Sequence, residues 1–267
     1  MVVSLIVLAV LGAVLTGVCC SLVGSCVVRM NLSSLGFAMS HAAFAGAALG
    51  LVVSIDPLLM AIIFSVGVAV VLGPLAEKAK LPTNVILGVL FSLMISLGLV
   101  FLNMVPGTAM SSVALSILWG SILAMTIENI LRLSVLTVVI LLVFYLFFKE
   151  FQSIMFSRKL AEASGINTTP FYYLILFLTG ITVAFSLKLV GGLLVFALMV
   201  NPASSAYQFF YDLKKITIIS PVIGVFCCLA GIGISFWLDL PTGSAIAVVS
   251  SLFFGVSVLL SPKRKRG

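Results

Sequence analysis

The sequence predicts an all-α fold: a polytopic transmembrane helical bundle of about eight to nine spanning helices plus a short re-entrant or partial helix. Three observations predict it. Only 8% of the 267 residues are charged, against 63% that are hydrophobic, whereas a soluble domain carries about a quarter charged residues. The apolar residues fall in long unbroken runs rich in Leu, Ala and Gly. The breaks between those runs are short and polar. A chain this apolar cannot cover itself with a polar surface, so its solvent is lipid. A membrane barrel needs segments of alternating polarity, and the continuous runs favour helices instead.

A spanning helix needs roughly 20 mostly apolar residues. Runs of about that length lie at 2–28, 37–55, 58–75, 83–103, 130–148, 171–187, 189–209, 216–238 and 243–260. The segment 112–125 is apolar but shorter, which suits a re-entrant or interfacial piece. No basic stretch precedes the first run, and the run is long, so it reads as a retained span and not a cleaved signal. The whole chain, 1–267, reads as one transmembrane domain. Five cysteines, Cys19, Cys20, Cys26, Cys227 and Cys228, sit in apolar runs without zinc-ligand spacing and read as small packing residues.

The net charge of +7 follows the positive-inside rule and implies no nucleic-acid partner. With the N-terminus outside and 112–125 not crossing, twelve of the fourteen Lys and Arg residues face the cytoplasm. Only Arg132 and Lys188 fall outside. That bias supports nine crossings of the cell membrane and a cytoplasmic C-terminus; it weakens if 112–125 crosses fully. The basic tail, 262–267, favours the anionic cytoplasmic leaflet. One loop is long: about 150–170 is polar and has room for a short amphipathic helix. Ser157 is placed to cap its start and Gly165 to follow its end.

Small residues recur every four positions, at Gly17, Ser21 and Ser25 and again at Ala42, Gly46 and Gly50. This spacing lets helix backbones approach closely. Pro202 interrupts an apolar run beside Asn201, Ser204 and Ser205. Proline removes an intrahelical hydrogen bond, so a broken helix lining a pathway and a merely structural kink are both open readings there.

Chemistry has few candidates. There is one His and there are seven acids, the acids mostly at span ends. No nucleophile elbow, paired intramembrane aspartates, HExxH or phosphate-binding Gly-x-x-x-x-Gly-Lys-Ser/Thr loop occurs, so the chain does not read as an enzyme and cannot hydrolyse ATP alone. His41 stands out because an ionisable residue inside a span is costly and marks function by default. Imidazole is a common ligand for zinc, iron, nickel and copper. By itself His41 fits a metal role or a hydrogen-bonded packing role.

Four ordered stretches resemble the zinc/manganese/iron-type permease family of ABC importers. Ser40-His41-Ala42-Ala43-Phe44-Ala45-Gly46-Ala47-Ala48-Leu49-Gly50 is similar to the family's Ser-His-Ala-x-x-x-Gly-x-x-x-Gly. Val190-Gly191-Gly192-Leu193-Leu194-Val195, running on to Asn201-Pro202-Ala203-Ser204-Ser205-Ala206, resembles its Val-Gly-x-Leu-Leu-Val block ending in Pro-Ala-x-x-Ala. Ser235 with Asp239-Leu240-Pro241-Thr242-Gly243 resembles its Ser-x-x-x-Asp-x-Pro-x-Gly, and Trp119-Gly120-Ser121-Ile122-Leu123 its Phe-Gly-Ser-Ile-Leu. Phe156 with Ala161 and Gly165 resembles the loop that docks the ATPase.

The resemblance implies a homodimeric permease with cytoplasmic ATP-binding subunits and an extracytoplasmic metal-binding protein as partners. It implies no tightly bound cofactor, only a transported divalent metal ion. Pathway residues are then His41, Ser40, Asn84, Asn201 and Pro202. Coupling to the ATPase falls on Arg158, Lys159, Ala161, Glu162 and Gly165, and helix packing on Gly46, Gly50, Gly191 and Gly192. Two positions depart from the family. It usually carries Asp four residues before the His, on the same helix face, where this chain has Phe37; many members carry Asp where this chain has Asn84. Either His41 works with carbonyls, Ser40 and Asn groups, or the cargo differs, as a soft ion or one still bound to a carrier. Readings from other classes are an ion-coupled secondary transporter acting without an ATPase, although no inverted repeat is evident, and a non-transporting membrane scaffold.

Overall fold

The computed structural model describes residues 2–105 and 126–263. The segment 112–125, the Trp119–Leu123 motif and most of the basic tail lie outside the described residues. Eleven helices are described: α1 (Val2–Arg29), α2 (Ser34–Val52), α3 (Pro57–Ala79), α4 (Thr83–Met104), α5 (Ile127–Leu146), α6 (Phe148–Phe156), α7 (Arg158–Ala163), α8 (Thr168–Val190), α9 (Gly192–Phe209), α10 (Leu213–Leu238) and α11 (Thr242–Leu259). Eight of them are long and apolar enough to cross a membrane. The ninth candidate, α9, carries Asn201, Ser204, Ser205 and Gln208 in its second half.

Helix ends follow local chemistry. Asp56 accepts the Leu58 N–H at 3.0 Å with Pro57 opening α3, and Asp212 accepts the Lys214 N–H at 2.9 Å to open α10. Such caps satisfy donors that no intrahelical carbonyl reaches. Asp239 closes α10 in the left-handed region at φ 53°, and Ser235 Oγ donates to the Leu240 carbonyl at 2.7 Å. The Ser235–Gly243 motif is therefore the tight corner between α10 and α11.

Two packed groups make the bundle. In one, α2 is wrapped by α3 and α4; in the other, α1 lies against α9 and α10, with α11 completing the layer. Helices α8 and α9 join the groups, α8 touching α3 and α2, and α9 touching α1 and α2. Close backbone approach makes this possible. A Cβ on Gly46 would overlap the Met60 carbonyl of α3, and one on Gly24 would overlap the Met199 carbonyl of α9. At Gly50 the same addition would meet the Pro57 Cα at 3.0 Å. Cysteines fill small gaps: Cys19 Sγ lies 3.1 Å from Thr137 Oγ1, and Cys20 donates to Ser186 Oγ at 3.6 Å.

Three features differ from the sequence-based expectation. The loop after α5 holds two helices, not one, because α6 is amphipathic and buries Phe151, Ile154 and Met155. Pro202 does not break its helix; α9 is continuous from Gly192 to Phe209. The carbonyl that Pro202 deprives of a partner belongs to Leu198, four residues earlier, and Ser21 Oγ of α1 donates to it at 3.1 Å. The break falls instead at Gly191, which alone separates α8 from α9. Its backbone, φ 84° and ψ 154°, lies in a region essentially restricted to glycine.

Candidate functional site

The polar centre of the bundle lies where α2, α4, α9 and the Gly191 reversal meet. His41 and Ser40 stand on α2 and are 7% and 1% exposed. Ser40 Oγ donates to the Phe37 carbonyl at 2.9 Å, and His41 Nδ1 lies 2.9 Å from the same oxygen. A carbonyl only accepts, so this contact assigns the proton to Nδ1 and leaves the lone pair of the neutral ring on Nε2. Among the described residues nothing hydrogen-bonds Nε2.

Aromatic rings surround that imidazole. Phe37, one turn earlier on the same face, sits edge-on to it with ring centres 4.8 Å apart. Phe91 of α4 stands perpendicular to it at 4.7 Å and stacks on Phe37 at 4.5 Å. Phe196 of α9 reaches Phe37 at 5.2 Å. The three phenyl rings are only half-buried, so they wall the site without sealing it. Met199 fills the space at Gly36. Gly191 and Gly192 are buried, and a Cβ on Gly192 would lie 3.5 Å from the Ser40 Cβ. Non-helical backbone away from water is tolerated only when protein or a polar cavity receives it, and here Ser40 lies against it.

The remaining sequence candidates lie elsewhere. Asn84 is exposed in the first turn of α4, two turns before Phe91. Asn201 turns to α11, donating to Ser250 Oγ and Ser251 Oγ at 3.0 Å each. Pro202 is buried beside it. No group of three or more His, Cys, Asp or Glu side chains converges among the described residues. Phe91 and Phe196 had no legible signal, because a Phe in an apolar run reads as core.

A second candidate region lies at the basic end of the bundle. Ser157 caps α7 by accepting the Leu160 N–H. The helix closes in a Schellman motif: Ile166 N–H donates to Ala161 O at 3.1 Å and Gly165 N–H to Glu162 O at 3.0 Å, with Gly165 at φ 85°. A glycine at that position avoids the left-handed penalty. Arg158 Nε donates to Glu162 Oε1 at 3.2 Å and Thr168 Oγ1 at 3.0 Å, and its guanidinium lies 5.0 Å from the Tyr172 ring centre. The Thr168 hydroxyl also donates to Glu162. That bond, with Arg158 beside it, holds the Glu162 carboxyl below the usual carboxylate range. Arg158 and Glu162 thus clip α7 onto α8. Lys159, Leu160 and Phe156 remain outward, Leu160 at 58% and Phe156 at 66% exposure. Phe156 and Leu160 border a cleft of about 510 Å³ lined also by Lys149, Ser153 and Ala161.

Nearby, Lys263 fastens the end of α9. Its Nζ donates to the Tyr207 and Phe210 carbonyls and lies 4.2 Å from the Tyr211 ring centre. The first basic residue of the tail is therefore engaged by the bundle itself.

Comparisons with known proteins agree over the whole chain. A family model described as the ABC 3 transport family matches residues 3–261. The manganese transport system membrane protein MntC of Listeria monocytogenes is 28% identical over 258 residues, covering 96% of this chain and 90% of that protein. A probable iron transport system membrane protein of Haemophilus influenzae is 32% identical over 248 residues, covering 91% and 86%. Among solved structures, a chain of PsaBC from Streptococcus pneumoniae in complex with Fab aligns with a TM-score of 0.86 and 25% identity, covering 99% of this chain and 98% of that one.

Proposed function

This chain belongs to the ABC 3 transport family, and on that premise we propose that it is the membrane permease subunit of an ABC importer carrying a divalent metal ion of the manganese, iron or zinc class. The metal is cargo, and ATP is hydrolysed by separate subunits. In this reading two copies pair in the cell membrane with their C-termini in the cytoplasm, and a metal-binding protein delivers the ion from outside.

One observation supports the division of labour: the bundle joins a buried imidazole lone pair on α2 to an outward, doubly capped helix at the basic end. The capped helix α7 offers Phe156 and Leu160 to an ATP-binding subunit. The clip through Arg158, Glu162 and Thr168 passes motion of α7 directly to α8. A conduction site must bind well enough to admit an ion and weakly enough to release it, and a site with one nitrogen donor meets that demand.

The test is metal uptake by membrane vesicles holding this chain with its ATP-binding subunits and binding protein. Uptake should need ATP. His41→Ala should reduce it by about tenfold or more, the scale on which altered metal surroundings act, without changing the amount of assembled complex. Gly165→Pro removes the N–H that donates to Glu162 and excludes φ 85°; it should leave ATP hydrolysis running while uptake falls. Accumulation by this chain alone, without nucleotide, would reject the reading and favour a secondary transporter.

A further inference from the structure

The aromatic walls of the His41 site address which ion passes. We propose that Phe37, Phe91 and His41 form a selectivity element that disfavours manganese and favours divalent ions that bond strongly to imidazole, with zinc as the representative case. This rests on the metal-permease reading and adds to it the chemical class of the cargo.

The donor inventory carries the argument. Nδ1 is committed to the Phe37 carbonyl, so the ring offers one ligand atom, Nε2. The aromatic walls of the ring are phenyls without a lone pair: Phe37 and Phe91 touch it, and Phe196 backs Phe37. The Ser40 hydroxyl lies 3.3 Å from Nδ1, on that side of the ring, with its proton given to the Phe37 carbonyl, and it is a neutral oxygen, not a carboxylate. Asn84 is exposed two turns before Phe91, and the Asn201 amide is bonded to α11. No cluster of three His, Cys, Asp or Glu groups exists among the described residues to supply oxygen.

An ion entering this box exchanges part of its water shell for one nitrogen and two hydrocarbon walls. Manganese prefers carboxylate, carbonyl and water oxygen, and it stands lowest among first-row divalent ions in affinity for a given nitrogen site. It therefore gains least from Nε2 even with the displaced water counted, because that order is one of affinities in water. Zinc, with a marked preference for imidazole, recovers more. The position that could reverse the preference is Phe37. It lies one turn from His41 on the same face, so a carboxylate there would add an oxygen donor beside Nε2.

The experiment compares zinc and manganese uptake in direct competition through the complete transporter, wild type against Phe37→Asp and Phe37→Leu. The binding protein is the same throughout, so its own preference cancels between variants. Phe37→Asp should raise the manganese-to-zinc uptake ratio by about tenfold or more. Phe37→Leu, which keeps the wall apolar, should leave the ratio within about twofold of wild type. An unchanged ratio in Phe37→Asp, with uptake intact, overturns the inference and leaves the transport reading standing. Failure of every variant, wild type included, to move either ion rejects the transport reading itself. If Phe37→Asp does not assemble, equilibrium dialysis of the purified wild-type complex decides: zinc bound about tenfold tighter supports the assignment, and equal or tighter manganese binding overturns it.

Discussion

Helices α2 and α5 have nearly the same length, 19 and 20 residues, and opposite relations to their surroundings. Of α2's apolar span 78% is buried, against 28% for α5. Yet α2 is the least hydropathic of the eight spans. Its sequence is Ala, Gly, Ser and His with few large side chains, while α5 turns Leu131, Val135, Val138 and Leu142 outward. In water the most apolar helix is the one that hides. In lipid the outside is as apolar as the inside, so burial goes to the helix whose small residues let backbones close up. The candidate pathway histidine, His41, sits on that helix, where rings from α4 and α9 also converge.

Substitutions can break or sharpen this contrast. The largest effect should come from Gly46→Leu on α2, set against Val138→Leu on α5. The first drives a side chain into the Met60 backbone, which overpacking alone makes unfavourable by about 1–3 kcal/mol or more, and folded protein should be lost from membranes. The second adds one carbon at a position 63% exposed and should leave yield and melting temperature unchanged. Equal behaviour of the two would remove the distinction between interior and lipid-facing helices.

Next is Gly191→Ala, beside α2 but outside any helix. Its φ and ψ are sterically open to glycine alone, and holding another residue there costs about 1–3 kcal/mol. A lowered melting temperature of the purified complex is expected. An unaltered one would mean that the backbone relaxes freely there, against the close packing on Ser40.

Further out, Lys263→Ala removes the amine that caps the end of α9 and should cost about 0.5–1 kcal/mol, read as a small drop in the same melting temperature. The smallest effect belongs to the α7 clip. Glu162 is held below its ordinary range, first by Thr168 and then by Arg158. A depressed carboxyl stabilises the fold above its unfolded pKa, and that contribution is lost as pH falls through the folded value. Protease cleavage within 157–168 should therefore rise only in acid, below the usual carboxylate range, and Glu162→Gln should abolish that pH dependence.

The spans were legible because membrane thickness writes itself into run length. The run 83–103 became Thr83–Met104, and 216–238 became Leu213–Leu238. Helix α6 was not legible, since a nine-residue amphipathic stretch has the composition of a polar loop. Of the two readings open at Pro202, the broken helix fails for a physical reason: a carbonyl freed by proline matters only if nothing else bonds it, and Ser21, on another helix, does. His41 was visible as the lone histidine in an apolar sea. Phe91 and Phe196 were not, because they lie on other helices far along the chain and only folding sets them against it.

The single residue joining α8 and α9 has one more consequence. With no loop between the two helices, there is no slack to absorb a displacement of either. The clip at Arg158 ties one end of this pair to α7, and Phe196 on the other arm touches the ring of Phe37. In the importer proposed above, the pair acts as a crank pivoting on Gly191, and a small push on the outward face of α7 arrives as movement of the wall beside the imidazole.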